Sequence, residues 1–228
     1  MAQEFTVDGN TLALYHMNGT VASAAKKDNA EGTAGLDLAE TGTPTAGNGF
    51  DEAANGSYQL NGSTQKVESA GTVTSGETAL TIEGWIYADS LSGVNFIVSQ
   101  SAGGDGLYLY HNGTSLIGRA NYSGGGDTDT PGETISVDTW YYVALTTDGP
   151  TGTLRLYVQG AEEQTANLST SGNLGTTVCT FGAVGSGNFF AGRLDEWRIS
   201  DKERTSTEIS DYWDSQTATT FVPKISII

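Results

Sequence analysis

Cysteine is nearly absent. Cys179 is the only one in 228 residues, so no internal disulfide can staple this chain. It sits between Val178 and Thr180 in a strand-like run with no cation or base beside it, which predicts a small buried hydrophobe rather than a reactive thiol. Positive charge is equally scarce, with 10 Lys and Arg against 27 Asp and Glu and a formal net charge of −17. That balance argues against nucleic acid, whose affinity comes from basic residues neutralising phosphates, and against docking on anionic membranes. No apolar run approaches membrane-spanning length. The opening "MAQEFTVDGN" has neither a basic stretch nor an apolar one, so no secretory signal is read there. No repeat of 20 to 50 residues is present, and only one segment near the end has helical periodicity.

What remains is strand and turn. Glycine is abundant (31 residues), and Thr, Ser, Val, Tyr and Trp recur in short runs between turn residues, which predicts one all-β sandwich. "TLALYHMN" (Thr11 to Asn18) reads as a strand, and residues 19 to 56 as a long irregular excursion. "SYQLNGS" and "QKVESA" read as a hairpin around Asn61-Gly62, and "GLYLYHNGTSLIGRA" as a second around Asn112-Gly113. "LTIEGWIYA" sets Ile82, Ile86 and Ala88 against Glu83, Trp85 and Tyr87. "VNFIVSQ" adds a strand, and "WYYVALTTDGPTGTLRLYVQGAEEQTA" a strand, a turn, a strand and a short return. "SGGGDTDTPGE" reads as a loop, and "TTVCTFGAVG" and "RLDEWRIS" as the last strong strands. In "RTSTEISDYWD", Thr205 and Glu208 have capping-box spacing and Ile209, Tyr212 and Trp213 fall on one helix face. The expected organisation is an N-terminal arm (1–10), a domain (11–213) and a tail (214–228) whose apolar "FVPKISII" packs back or docks on a partner.

Four segments, in order, resemble the LamG-like jelly-roll domains of the concanavalin A-like lectin/glucanase superfamily. They are "LTIEGWIYA", "WYYVALTTDG", "TLRLYVQG" and "FFAGRLDEWRIS" followed by "TSTEISDYW". "LALYHMNG" with "KKDNAEG" matches more loosely. The resemblance implies a two-sheet antiparallel jelly-roll sandwich with one short C-terminal helix, in agreement with the strand pattern.

The stretch "GRLDEWRISD" poses a problem. Strict alternation puts Asp195 on the face of Trp197 and Ile199, where a lone carboxylate is costly to bury. An ion pair or backbone donors would satisfy it. The resemblance implies instead a structural calcium held by Asp195, with backbone carbonyls around Tyr15 to Met17 and Gly49 to Asp51 (Asp51 included). Calcium takes six to eight oxygens, many of them carbonyls or water, so few side-chain ligands need appear. Asp105, Asp127 and Asp129 lie in glycine-rich turns that lack the full pattern of a calcium loop and read foremost as solvated turn acids.

Catalysis is not expected. Retaining glycosidases need two carboxylates about 5 Å apart, and the E-x-D-x-E strings of the superfamily's enzymes are missing. Glu162 and Glu163 are adjacent and would point to opposite faces of a strand. Neither His16 nor His111 lies near a nucleophile motif. The expected function is a non-catalytic carbohydrate-binding or adhesion module, at a cell exterior or virion surface. The ligand contacts expected are Tyr108, Tyr110, His111, Tyr122, Asp127 and Asp129. Trp85, Trp140 and Trp197 read as structural, although Trp85, Tyr87 and Glu83 share a face that could form a binding platform. The alternative is a structural assembly protein, such as a virion decoration subunit, that docks through the tail.

Overall fold

The strands of this chain form because small and β-branched residues alternate over short spans, and each ends where glycine or a polar turn residue breaks the pleat. A computed structural model describes residues 4–17, 36–100 and 104–218. The chain passes through Thr11–Tyr15 (β1), Leu38–Thr41 (β2), Thr45–Gly47 (β3), Ser57–Asn61 (β4), Lys66–Ser69 (β5) and Thr74–Ser75 (β6). Leu80–Ala88 (β7), Val94–Ser99 (β8), Gly106–Asn112 (β9), Ser115–Asn121 (β10), Thr128–Asp129 (β11) and Glu133–Thr134 (β12) follow. Then come Trp140–Thr147 (β13), Thr153–Val158 (β14), Ala161–Asn167 (β15), Thr176–Thr177 (β16), Thr180–Phe181 (β17) and Ala191–Ser200 (β18). One helix, Ser206–Ala218 (α1), comes last among the described residues.

Two eight-stranded antiparallel sheets make the sandwich. The first runs β15-β14-β13-β7-β18-β4-β3, with β1 also on β18; the second runs β11-β10-β9-β8-β17-β5-β2, with β12 also on β10. Their facing sides share one core that includes Leu80, Ile82, Ile86, Leu107, Leu109, Val143, Leu145, Phe181 and Trp197. The outer side of the first sheet is half roofed. There Trp85, Tyr142 and Tyr157 pack with Phe5 and with Ile209, Tyr212 and Trp213 of α1. The helix starts on the expected box: the Glu208 amide donates to Thr205 Oγ1 at 3.2 Å, and the Thr205 amide to Glu208 Oε2 at 2.9 Å.

Several expectations need correction. The stretch 19–56 is not wholly irregular, because β2 and β3 lie within it, paired with β5 and β4. Asn61-Gly62 does not close a hairpin: β4 pairs with β18 and β3 in the first sheet, while β5 pairs with β17 and β2 in the second. The turn is real, with Asn61 Oδ1 accepting the Ser63 and Thr64 amides at 3.0 Å, but it carries the chain from one sheet to the other. "TTVCTF" is split into β16 and β17 in different sheets, with Cys179 buried between them and its thiol pushed up in pKa by burial. "SGGGDTDTPGE" contributes two short strands, β11 and β12. The helix runs on from "TSTEISDYW" to residue 218. The segment "KKDNAEG" and the tail Phe221 to Ile228 lie outside the described residues.

The largest correction concerns β18. Leu194, Trp197 and Ile199 all enter the inter-sheet core, whereas Asp195 pairs with Trp85 and Arg198 with Glu83 on the outer side. Asp195 and Trp197 therefore do not share a face. A bulge between Asp195 and Arg198, with Glu196 at φ 46°, inserts an extra residue and resets the alternation. Gly84 opposite makes it possible. A Cβ there would lie 2.4 Å from Trp197 Cδ2 and 2.8 Å from the Glu196 carbonyl oxygen. Gly84→Ala is expected to cost about 1–3 kcal/mol, read as a lower urea midpoint at unchanged slope. An unchanged midpoint would mean that the bulge tolerates a side chain at residue 84.

Candidate functional site

The bulge coincides with a change of neighbours. Along one edge of β18, β4 pairs with residues 191–194 and β1 with residues 197–200, so neither strand pairs with Asp195 and Glu196. This notch is filled by loop 48–56 and by the end of the N-terminal segment. The loop is wound tightly: the Gly49 amide donates to the Ala53 carbonyl at 2.9 Å, the Glu52 amide to the Gly49 carbonyl at 3.0 Å and the Ala53 amide to Asp51 Oδ1 at 2.9 Å. Phe50 stacks on Trp85 with ring centroids 4.2 Å apart, which pins the loop over the sheet.

Asp195 is 2% exposed. Its Oδ2 accepts the Phe50 amide at 3.1 Å, while its Oδ1 is buried with no hydrogen-bond partner among the described residues. Burial, then the charge of Glu196, push its carboxyl well above the usual range, with Asp51 adding to the effect. A Cβ on Gly49 would sit 2.8 Å from Asp195 Oδ2 and 3.3 Å from Asp51 Oδ1, so glycine is what lets the loop backbone pack this closely on the two carboxylates. Tyr15 lies opposite Trp197 in the β1–β18 register, and Met17, two residues on, has φ 55°. Both side chains are in the core, so these residues offer backbone oxygen only. The structure thus brings Asp195, Asp51 and Gly49 together, with Tyr15 at the end of the flanking strand β1 and Met17 just beyond it.

Sequence reasoning passed over Glu196. Its carboxylate accepts the Phe5 amide at 3.0 Å and contacts His16 Nδ1 at 2.8 Å, tying the N-terminal segment to β18. Burial raises its pKa, opposed by His16. Glu4 Oε2 stands 3.9 Å from His16 Nδ1. The Asp-Glu pair in "RLDEWRIS" was the available signal, hidden because a uniform pleat assigns Glu196 no special place.

The expected ligand residues divide by strand parity. Tyr108 and Tyr110 lie on the outer side of the second sheet, clustered with Phe96. Arg119 joins them to the acids: it pairs with Asp127 and with Asp129, each at 2.6 Å, and its guanidinium lies 5.3 Å from the Tyr110 ring centroid. The Tyr110 hydroxyl donates to Asp129 Oδ2 at 3.1 Å, and the Asn121 amide to Asp127 Oδ1 at 2.8 Å. Asp129 is held below the usual carboxylate range chiefly by its hydrogen bond from Arg119. Both tyrosines are only 6% exposed, so they brace this margin rather than offer ring faces. His111 and Tyr122 are elsewhere. His111 is fully buried edge-on to Phe190, and the Tyr122 hydroxyl donates to the Thr78 carbonyl inside the core. Neither can meet a surface ligand in this structure. Trp85 and Glu83 are likewise roofed over, which removes them from the suggested platform.

A family model described as the concanavalin A-like lectin/glucanases superfamily (Laminin_G_3) matches residues 61–210. The chain belongs to this family. The solved structures similar to it include the receptor-binding parts of botulinum neurotoxins. The binding domain of serotype G matches with TM-score 0.72 at 12% identity, covering 95% of this chain and 53% of that one. The binding domain of neurotoxin DC, solved in complex with SialylT, matches with TM-score 0.68 at 16% identity, covering 92% and 52%. A type C structure, titled for dependence of cell entry on two ganglioside molecules, matches with TM-score 0.61 at 15% identity, covering 81% and 48%. The chain spans about half the length of these domains and shares their jelly-roll fold. A search of curated protein sequences finds no match.

Proposed function

We propose that this lectin-like domain is a non-catalytic carbohydrate-binding module that works at an exterior surface and is clamped by a calcium ion at Asp195. The observation that carries the calcium reading is the buried, unpartnered Oδ1 of Asp195, on a carboxylate against which Gly49 packs closely. The donor set fits a hard cation: carboxylates from Asp195 and Asp51, with backbone oxygens from Tyr15, Met17 and Gly49. Calcium would supply charge compensation there, with no part in bond making.

For the ligand, support comes from the family and from the margin of the second sheet. Asp127, Asp129 and Asn121 are fixed by Arg119 and Tyr110 before any ligand arrives, with both carboxylates partly open to solvent. Fixed acceptors and an amide suit sugar hydroxyls, which both donate and accept. The glycan- and ganglioside-related titles of similar structures agree with this choice. The test is a glycan array probed with the folded protein in calcium and in chelator. Binding that is lost in chelator and weakened by Asp127→Asn with Asp129→Asn is the expected result. A folded, calcium-loaded protein that binds no glycan would overturn the reading in favour of the assembly role.

A further inference from the structure

Beside the roofed cluster, the first sheet's outer side carries a row of half-buried side chains: Trp140, at one end, packs against that cluster, and Tyr87, Arg193 and Gln59 continue the row. Register places Trp140 opposite Tyr87, Tyr87 opposite Arg193, and Arg193 opposite Gln59. Their chain neighbours Tyr141, Ile86, Ala88, Leu194, Tyr58 and Leu60 face the inter-sheet core, so the row itself points outward. At one strand spacing per step, the row is about 14 Å long. All four residues are only partly buried.

Their geometry is fixed without a ligand. The Arg193 guanidinium lies over the Tyr87 ring at 4.2 Å, and Tyr87 meets Trp140 at 5.5 Å between centroids. Arg193 Nε donates to Gln59 Oε1 at 2.9 Å, and Gln59 Nε2 donates to Asp89 Oδ2 at 2.6 Å. The Tyr87 hydroxyl donates to Asp138 Oδ1 at 3.3 Å. Gly47 makes room for the arginine stem, since a Cβ there would lie 2.9 Å from Arg193 Cδ.

Arg193 stands apart chemically. Arg119, Arg155, Arg198 and Arg204 each have a carboxylate partner within salt-bridge distance. Arg193 has none among the described residues, in a chain of net charge −17. Its two terminal nitrogens make no hydrogen bond to those residues, while Asp89 and Asp138 stay exposed nearby. A structural arginine in so acidic a chain would be expected to find a carboxylate.

We propose that this row is a second carbohydrate site, for a neutral oligosaccharide laid across the strands. Aromatic rings at Trp140 and Tyr87 supply an apolar floor for sugar C–H faces. The open Arg193 nitrogens donate to ring or hydroxyl oxygens, and Asp89 and Asp138 accept from hydroxyls on either side. An acidic sugar would meet one guanidinium but two carboxylates, which selects a neutral ligand. The site shares the carbohydrate reading above and uses the opposite sheet.

The test uses an array of glucose-, galactose- and mannose-terminated neutral oligosaccharides beside their sialylated counterparts. Variants Arg193→Ala, Trp140→Ala and Trp140→Phe are compared with the Asp127→Asn, Asp129→Asn pair, with melting temperature as the folding control. Arg193→Ala is expected to weaken neutral-glycan binding about tenfold, the scale of one charge-assisted hydrogen bond. Because the Asp127, Asp129 pair disables only the first site, the loss caused by Arg193→Ala should persist on that background, and Trp140→Phe should keep most of what Trp140→Ala loses. Neutral-glycan binding unchanged by Arg193→Ala, or binding of sialylated glycans alone, would overturn the second site while leaving the module reading standing. No glycan binding by folded protein would overturn both. If Trp140→Ala does not fold, Arg193→Ala decides.

Discussion

Glu83→Ala should be the most damaging single substitution in this chain, lowering stability by about 3–5 kcal/mol. Glu83 is fully buried on β7 and serves three partners. Its Oε1 pairs with Arg198 Nη2 at 2.9 Å and Arg204 Nε at 3.2 Å, and its Oε2 accepts the Tyr142 hydroxyl at 2.5 Å. Arg198 and Arg204 are themselves nearly sealed from water. Arg198 also lies over Phe5 at 4.2 Å, and Arg204 reaches Asp8 at 2.9 Å, so the network joins β7, β18, the N-terminal segment and the entry to α1. Removing the carboxylate leaves Arg198 a buried cation without its carboxylate partner, takes from Arg204 its one fully buried partner while Asp8 and Glu208 remain, and orphans a buried phenol, which is worse than never having had the charges. For a domain of this size the fall in melting temperature should be roughly 6–20 °C. Glu83→Gln keeps the shape and should lose less. A melting point within about 2 °C of the parent for Glu83→Ala would show that water reaches the arginines.

Calcium should have the next largest effect. A ligand at about one hundred times its dissociation constant stabilises a fold by about 2.7 kcal/mol, here a rise of roughly 5–11 °C over chelator. Asp195→Asn should abolish that rise. It should also be at least as stable as the parent in chelator, because it removes a carboxylate whose ionised form is buried beside Glu196 and Asp51. The two halves of this prediction separate a cation site from an ordinary buried acid. An Asp held only by backbone donors would give equal melting points in both buffers and a loss on substitution.

How much of this was legible in the sequence depended on whether an element's signal was local. β7, β13 and β14 are long enough for period 2 to show, and the β9–β10 hairpin carries Asn112-Gly113 at its turn. β3 and β17 have three and two residues and borrow their hydrogen bonds from longer strands, while β6 and β16, two residues each, pair only with one another, a match more than a hundred residues apart. Asn61-Gly62 announced a turn correctly but could not announce which sheet came next, since the partner of β4 lies more than a hundred residues away on β18. Asp195 was singled out for a false reason: the bulge that separates it from Trp197 breaks the uniform pleat on which the face argument rested. His111 shows the converse. Alternation from Leu107 and Leu109 puts it on the core side, so parity alone would have excluded it. Arg193 left no trace, because what distinguishes it is a missing partner in three dimensions.

The notch also has a meaning for vectorial synthesis. Among the described residues β1 has a single strand neighbour, β18, with Tyr15 opposite Trp197. A ribosome releases residue 15 long before residue 197, and at 5–20 residues per second the wait is roughly 10–40 s. Throughout that interval "TLALY" has no edge to join, and β7 and β4 also lack the strand that will lie between them. β7, β13, β14 and β15 can pair as they emerge, but β1, β3 and β4 join the first sheet only when β18 arrives, so the last strand is the one that closes it.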